Sequence, residues 1–322
     1  MAPCHVVSTI VVVVLVVLLA IALIAVRPWR KPTATPEPVA VEARREAPLE
    51  GVVAIPGPAE RGPPLPVVLI HGLFGFDRIG VPGAHFDYFR GIAQHLETLG
   101  CRAHAVRLPA AGSVPERARQ LVAAIEALPD PRIDLIAHSL GGLDARYALT
   151  HLGLARRVRS LVTVGTPHHG TPLADLALAG PLDWARRVVG ALGVPLEAVE
   201  WLGTEALAAF NREVIDAPGV RYACVVGGMH RDDSSVPLAL VPAHAYLRRV
   251  AGPNDGLVPI ASQYWGECLA EIEADHFAQI GWRVAVRGSF DAPGLYAFII
   301  ARLGDAPGQA AAVATAAAGG RT

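Results

Sequence analysis

The sequence predicts an α/β domain, with a mainly parallel central sheet covered by helices on both faces. Three observations predict it. Short, β-branched apolar runs recur along the chain, bounded by turn residues, as buried strands are. Stretches with apolar residues at helical spacing separate them, and such alternation builds parallel sheets sandwiched by helices. Polar, glycine-containing clusters directly follow the apolar runs, at the C-terminal strand ends where such sheets place their sites.

The chain has 322 residues, 52% of them hydrophobic and 18% charged, enough apolar material for one large core. A formal net charge of −1 argues against nucleic acid as a partner, because phosphate binding needs a basic excess. Cys4, Cys101, Cys224 and Cys268 fall in no metal-ligand spacing. Cys224 and Cys268 pair if the chain folds in an oxidising compartment; otherwise they are buried thiols.

Val6–Val26 is apolar apart from Ser8 and Thr9 and carries no charge. As a helix it spans about 31 Å, against roughly 30 Å for a bilayer core. The charges follow it, as Arg27, Arg30 and Lys31 with Trp29 among them, an arrangement that predicts one uncleaved N-terminal transmembrane helix. The positive-inside rule leans the remainder toward the cytoplasmic face. Residues 27–51 begin a proline-rich tether that runs on toward Pro66, and residues 305–322 form an Ala/Gly-rich disordered tail. The domain is expected over residues 52–304.

Within it, Val67–Ile70, Ala103–Leu108, Ile133–Ala137, Leu161–Val164, Arg221–Val226 and Cys268–Ile272 read as strands. Phe86–Leu99, Pro115–Leu128 and Leu140–Leu149 read as helices. Residues 171–210 are too long for a simple connection and carry helical patterns at Leu176–Leu182, Trp184–Leu192 and Leu196–Leu202. They predict a helical cap, mobile or fixed.

Ala137-His138-Ser139-Leu140-Gly141 directly follows an apolar strand and opens a helix. A serine on so sharp a turn lifts its hydroxyl above the sheet edge and needs small neighbours two residues either side. The helix N-terminus behind it favours developing negative charge. A nucleophilic serine needs a base, and the base an orienting carboxylate. In the order Ser, acid, His, the downstream histidine is His276, and the turn-rich Gly252–Pro259 supplies Asp255. Asp275 competes, but a residue adjacent to the histidine points elsewhere on a short loop. His71-Gly72-Leu73-Phe74-Gly75, after the first strand, is placed to donate backbone amides to an oxyanion, with Leu73 and Leu140 as the expected pair. His71 reads as bracing this loop by hydrogen bonds, or less readily as a base.

The segments 71–77 (HGLFGFD), 137–142 (AHSLGG), 165–175 (GTPHHGTPLAD), 254–259 (NDGLVP) and 274–281 (ADHFAQIG) together resemble the α/β-hydrolase superfamily. Within it they resemble bacterial triacylglycerol lipases of the Pseudomonas/Burkholderia type. The resemblance covers roughly Pro66–Ile300. It implies the α/β-hydrolase fold, a lipid or ester substrate, and cleavage of carboxylic esters, acylglycerols foremost. It also implies Ser139 as nucleophile, Asp255 as acid, His276 as base, and Leu73 and Leu140 as oxyanion donors. A short-chain carboxylesterase or an acyltransferase would use the same triad. No cofactor is implied. These lipases hold a structural calcium through an Asp two residues after the histidine, where this chain has Ala278. Asp232, Asp233 and Gln279 are the remaining oxygen donors, and no metal site is expected. His168 and His169 occupy a similar TPH-x-G turn and read as structural, with one of them a possible substrate contact.

Overall fold

The computed structural model describes residues 65–73, 78–81, 84–110, 112–178, 196–229, 236–238, 240–282 and 290–303. The predicted transmembrane segment 6–26, the tether 27–51, the tail 305–322 and cap residues 179–195 lie outside the described residues. Among the described residues, no helix is long and apolar enough to cross a membrane.

Six strands form one parallel sheet: β1 (Val67–Ile70), β4 (Ala103–Ala105), β5 (Ile133–His138), β6 (Val158–Val164), β7 (Arg221–Gly228) and β8 (Glu267–Glu273). Their spatial order is β4-β1-β5-β6-β7-β8, each neighbouring pair parallel. A separate hairpin joins β2 (Arg78–Val81) to β3 (Ala84–Asp87). The order reverses at β1, and this switch opens the crevice at the C-terminal ends of β1 and β5.

Strand alternation sends successive side chains to opposite faces, so both faces carry a core. Val67 and Leu69 of β1 join Ile136, Val162 and Val225 on one face, under α1 (Ile92–Thr98) and α9 (Ala292–Ile300). Val68 and Ile70 join Ile133, Leu135 and Leu161 on the other. That face is covered by α2 (Val114–Glu126) and α3 (Leu140–His151) through Ala118, Leu121, Ile125, Ala145 and Ala148. Helix α2 starts in a capping box: Ser113 Oγ accepts from Glu116 N, and the Glu116 carboxylate accepts from Ser113 N.

The predicted helix Phe86–Leu99 is corrected at its start. Phe86 and Asp87 pair with Ile79 and Arg78 in the hairpin, and Gly91 at φ 71° forms the helix N-cap, so α1 begins only at Ile92. The predicted strand Ala103–Leu108 ends at Ala105, although Val106 N still donates to Leu69 O. Among the described residues, the other predicted strands, and the helices Pro115–Leu128 and Leu140–Leu149, hold to within a few residues at each end, while the helical pattern Trp184–Leu192 lies outside the described residues.

Between β6 and β7 lie α4 (Pro172–Leu178), α5 (Leu196–Glu200) and α6 (Thr204–Glu213). Asp175 of α4 accepts from Thr204 N at 2.9 Å and Thr204 Oγ1 at 2.8 Å, tying the two ends of this insertion together. Arg146 of α3 fastens α6 to the domain, donating to Asn211 Oδ1 at 2.9 Å and Val214 O at 3.0 Å, its guanidinium 3.4 Å above the Trp265 ring. Further on are α7 (Val241–Ala251) and the short α8 (Ile260–Gln263).

Candidate active site

Ser139 sits between β5 and α3 at φ 57°, ψ −132°, and is the one non-glycine residue at positive φ among the described residues. Such a conformation costs about 1–3 kcal/mol and persists only where the surroundings enforce it. The packing does so here. A Cβ on Gly141 would lie 2.8 Å from the carbonyl oxygens of both Ile70 and His71, and one on Gly72 would lie 2.7 Å from Ser139 Cβ. Only glycines let β1 and its loop approach the turn this closely. Leu140, the first residue of α3, leaves its amide without an intrahelical partner.

Ser139 Oγ and His276 Nε2 are 3.0 Å apart, and His276 Nδ1 lies 2.7 Å from Asp255 Oδ2. Three residues distant in sequence are thus joined in one hydrogen-bonded line. Asp255 and His276 are buried. The main chain reinforces the line, since His276 N donates to Asp255 O at 2.8 Å. Asp255 is held from every side. Its Oδ1 accepts from Leu257 N (3.0 Å) and Val258 N (2.7 Å), and its Oδ2 accepts from Gln279 Nε2 (3.1 Å) and Gln263 Nε2 (3.4 Å). Gln263 is itself clamped to Gly227 by bonds to its N–H and C=O, each 2.8 Å.

Asp275 is engaged elsewhere. Its Oδ1 accepts from Phe277 N (2.9 Å) and Ala278 N (3.1 Å), shaping the turn after the histidine. Burial raises its carboxyl above the ordinary range.

The loop after β1 carries its own brace. His71 Nε2 accepts from Leu108 N at 3.0 Å, so Nδ1 carries the proton and donates to Gly72 O at 2.9 Å. Arg117 Nη2 donates to His71 O (2.8 Å) and Gly72 O (3.3 Å), and Nη1 donates to Pro109 O. Its charge is met by Asp144, whose Oδ2 accepts from Arg117 Nε at 2.8 Å. The peptide is planar and trans, so an N–H points opposite to the carbonyl preceding it. With Gly72 O drawn to Arg117, the Leu73 amide faces away from that side.

Sequence reading named Ser139, Asp255, His276, Leu73 and Leu140. The structure joins the first three and places Leu73 on the loop after β1 and Leu140 in the first turn of α3, next to the serine. The sequence reading missed Arg117, Asp144 and Gln263. Two of these had a visible signal: Arg117 lies on the apolar stripe of α2 with Val114, Leu121 and Ile125, and Asp144 on that of α3 with Leu140 and Leu143. One opposite charge on each of two buried faces is a paired signal. His168 spends both ring nitrogens internally, on Thr163 Oγ1 (3.0 Å) and Arg146 Nη1 (3.3 Å), a structural role. At the position where the resembled lipases carry the calcium-binding Asp, Ala278 offers no side-chain oxygen, so this position does not fit the ion. Asp232 and Asp233 lie outside the described residues.

Residues 66–201 match the model of the alpha/beta hydrolase fold family. A triacylglycerol lipase of Pseudomonas fragi is 37% identical over 262 residues, covering 67% of this chain and 87% of the relative. Triacylglycerol lipase 2 of Saccharomyces cerevisiae is 28% identical, covering 69% and 81%. The crystal structure of a Bacillus licheniformis lipase in mature form superposes with a TM-score of 0.57 at 25% identity, over 70% of this chain and 90% of that one. On that identity and coverage, and on the fold that carries the serine turn, the chain belongs to the lipase-like α/β hydrolases and is a carboxylic ester hydrolase.

Proposed function

We propose that this enzyme cleaves acylglycerol-type esters by serine acyl transfer, with Ser139 as nucleophile, His276 as base and Asp255 as the orienting acid. The observation that carries the reading is the line from Ser139 Oγ through His276 to Asp255, at 3.0 and 2.7 Å, on a strained turn above the sheet. Asp255 accepts a hydrogen bond from the His276 Nδ1–H, which leaves Nε2 as the lone-pair nitrogen facing the hydroxyl. As Ser139 attacks the ester carbonyl, its proton passes to His276. The Leu73 and Leu140 amides take the oxyanion, and the imidazolium then protonates the departing alcohol. Water reverses the sequence and frees the acid.

Similarity to lipases supports a long-chain substrate, and the apolar segment Val6–Val26 supports an anchor holding the enzyme near its lipid. The test is turnover of a p-nitrophenyl ester series from acetyl to palmitoyl by the full chain in detergent, with Ser139→Ala alongside. Activity that rises with chain length and disappears in the variant is the expected result. Activity confined to short chains replaces the lipase reading with a short-chain esterase. Transfer to an added alcohol in preference to water replaces it with an acyltransferase. Full activity in Ser139→Ala overturns the mechanism.

A further inference from the structure

Resting on that reading of the triad, we propose that Tyr88 and His138 are positioning residues that lock the oxyanion loop to the main chain of the base. Gly72 N donates to Tyr88 Oη at 3.2 Å, Tyr88 Oη lies 2.8 Å from His138 Nδ1, and His138 Nε2 lies 3.1 Å from the carbonyl oxygen of His276. Tyr88 is 8% exposed and His138 is fully buried.

The direction of each bond follows from chemistry. A carbonyl only accepts, so His138 Nε2 carries the proton. Burial and the neighbouring His276 hold His138 well below its ordinary range, which keeps it neutral with a single N–H. Nδ1 therefore accepts, the Tyr88 hydroxyl donates to it, and the phenolic oxygen accepts from Gly72. The chain reads Gly72 N–H to Tyr88 O–H to His138, and His138 N–H to O=C of His276. Both ring nitrogens of His138 are spent in it, which removes the residue from proton transfer with substrate.

The sheet does not supply this constraint. The oxyanion loop leaves β1 and the histidine loop leaves β8, and β5, β6 and β7 lie between them. Tyr88 and His138 bridge the two loops directly. A second bond strengthens the bridge, from Trp282 Nε1, beyond the histidine loop, to Tyr88 O at 2.8 Å. The His138 ring also packs on the His276 ring, their centroids 4.5 Å apart. The main chain of His276 is thus fixed at its N–H by Asp255 and at its C=O by His138. Charge grows on the oxyanion and on His276 in the same step, so the distance between these two loops acts on the transition state and not on the resting acyl groove.

The experiment uses the full chain, the ester it hydrolyses best, and Tyr88→Phe, His138→Gln and the double variant. Gln keeps an N–H for the His276 carbonyl and gives up the ring nitrogen that faces Tyr88. Active sites are counted by stoichiometric labelling of Ser139 with a fluorophosphonate, so misfolded protein drops out of kcat. Each single variant is expected to lower kcat per labelled site about 10- to 100-fold with KM unchanged within about 2-fold. The double variant is expected to fall no further than the worse single by more than about 3-fold, as one chain broken twice. Unchanged kcat per labelled site with only a lowered Tm overturns the proposal, as do losses that multiply. Absence of labelling at Ser139 in the unaltered enzyme overturns the triad reading instead, which keeps the two failures apart. Should His138→Gln yield no folded protein, Tyr88→Phe decides alone, since it removes one oxygen and keeps the ring.

Discussion

Arg117 and Asp144 form an ion pair at 2.8 Å with neither side chain exposed, directly behind the loop that carries Leu73. Desolvation outweighs the arginine's attraction and pushes the Asp144 carboxyl up to about 6. A folded-state value above the unfolded one means that its contribution to stability is full below about pH 4 and lost as pH rises through about 6. Replacing Arg117 by Met removes the cation paired with Asp144 and raises the carboxyl further. The Arg117→Met variant is therefore expected to lose about 3–5 kcal/mol at pH 8, the penalty of a broken buried pair, and distinctly less at pH 5, where Asp144 takes a proton. Urea unfolding at the two pH values measures this. Equal losses at both would show that Asp144 stays ionised throughout.

Gln279 offers a test of the acid that leaves the triad side chains in place. Its amide supplies one of the four non-histidine bonds to Asp255. Gln279→Met fills similar volume without the donor, and kcat/KM is expected to fall about 10-fold, the cost of one hydrogen bond to a charged acceptor. Gln279→Glu places a like charge against Asp255 and is expected to fall further at pH 8 than at pH 5. Steady-state ester hydrolysis by the two variants decides it, and a Glu variant as active as wild type at pH 8 contradicts the assigned contact.

The sheet was legible because its strands are buried on both faces and so read as continuous apolar runs, as Val67–Ile70 does. The serine turn was legible because its small-residue spacing is a steric demand. Gly141 obeys it, and Ala137 at 0% exposure occupies the other flank without relaxing the turn. Asp255 and His276 came from chain order and loop composition. The hairpin β2–β3 was not legible, since Phe86 falls on helical spacing with the residues that follow and strand pairing overrode it. Gln263 and Tyr88 were hidden for another reason. Gln263 is clamped to Gly227, 36 residues away, and Tyr88 reaches His138, 50 residues away, and single-sequence spacing carries no such distance.

Backbone strain at Ser139 predicts a separation of stability from activity. Ser139→Ala and Ser139→Gly both remove the nucleophile, but only glycine adopts φ 57°, ψ −132° at ease. Relief of about 1–3 kcal/mol of strain is offset in part by the roughly 0.5–1 kcal/mol entropic cost of a glycine. The Gly variant is expected to exceed the Ala variant in unfolding free energy by about 1 kcal/mol, with both inactive. Paired denaturant melts test it, and an Ala variant as stable as the Gly variant would place the strain elsewhere.

The cysteines yield a last prediction. Cys224 and Cys268 face each other on β7 and β8, as free thiols joined by a hydrogen bond. That bond, with burial second, lifts the Cys224 thiol well above its ordinary range, and burial pushes Cys101 up to about 11. A thiol reacts as its thiolate, so both are expected to resist Ellman's reagent in the native protein at pH 8. They should react together once urea unfolds it. The sulfurs lie on directly paired residues, so oxidation would cross-link two neighbouring strands without closing any new gap in the chain's path. Under reducing conditions the thiol count on unfolding should include both, and a count lower by two after preparation without reductant would identify the pair as a disulfide. Rapid modification of Cys224 in the folded enzyme would instead show that the β7–β8 edge opens on the timescale of the reaction.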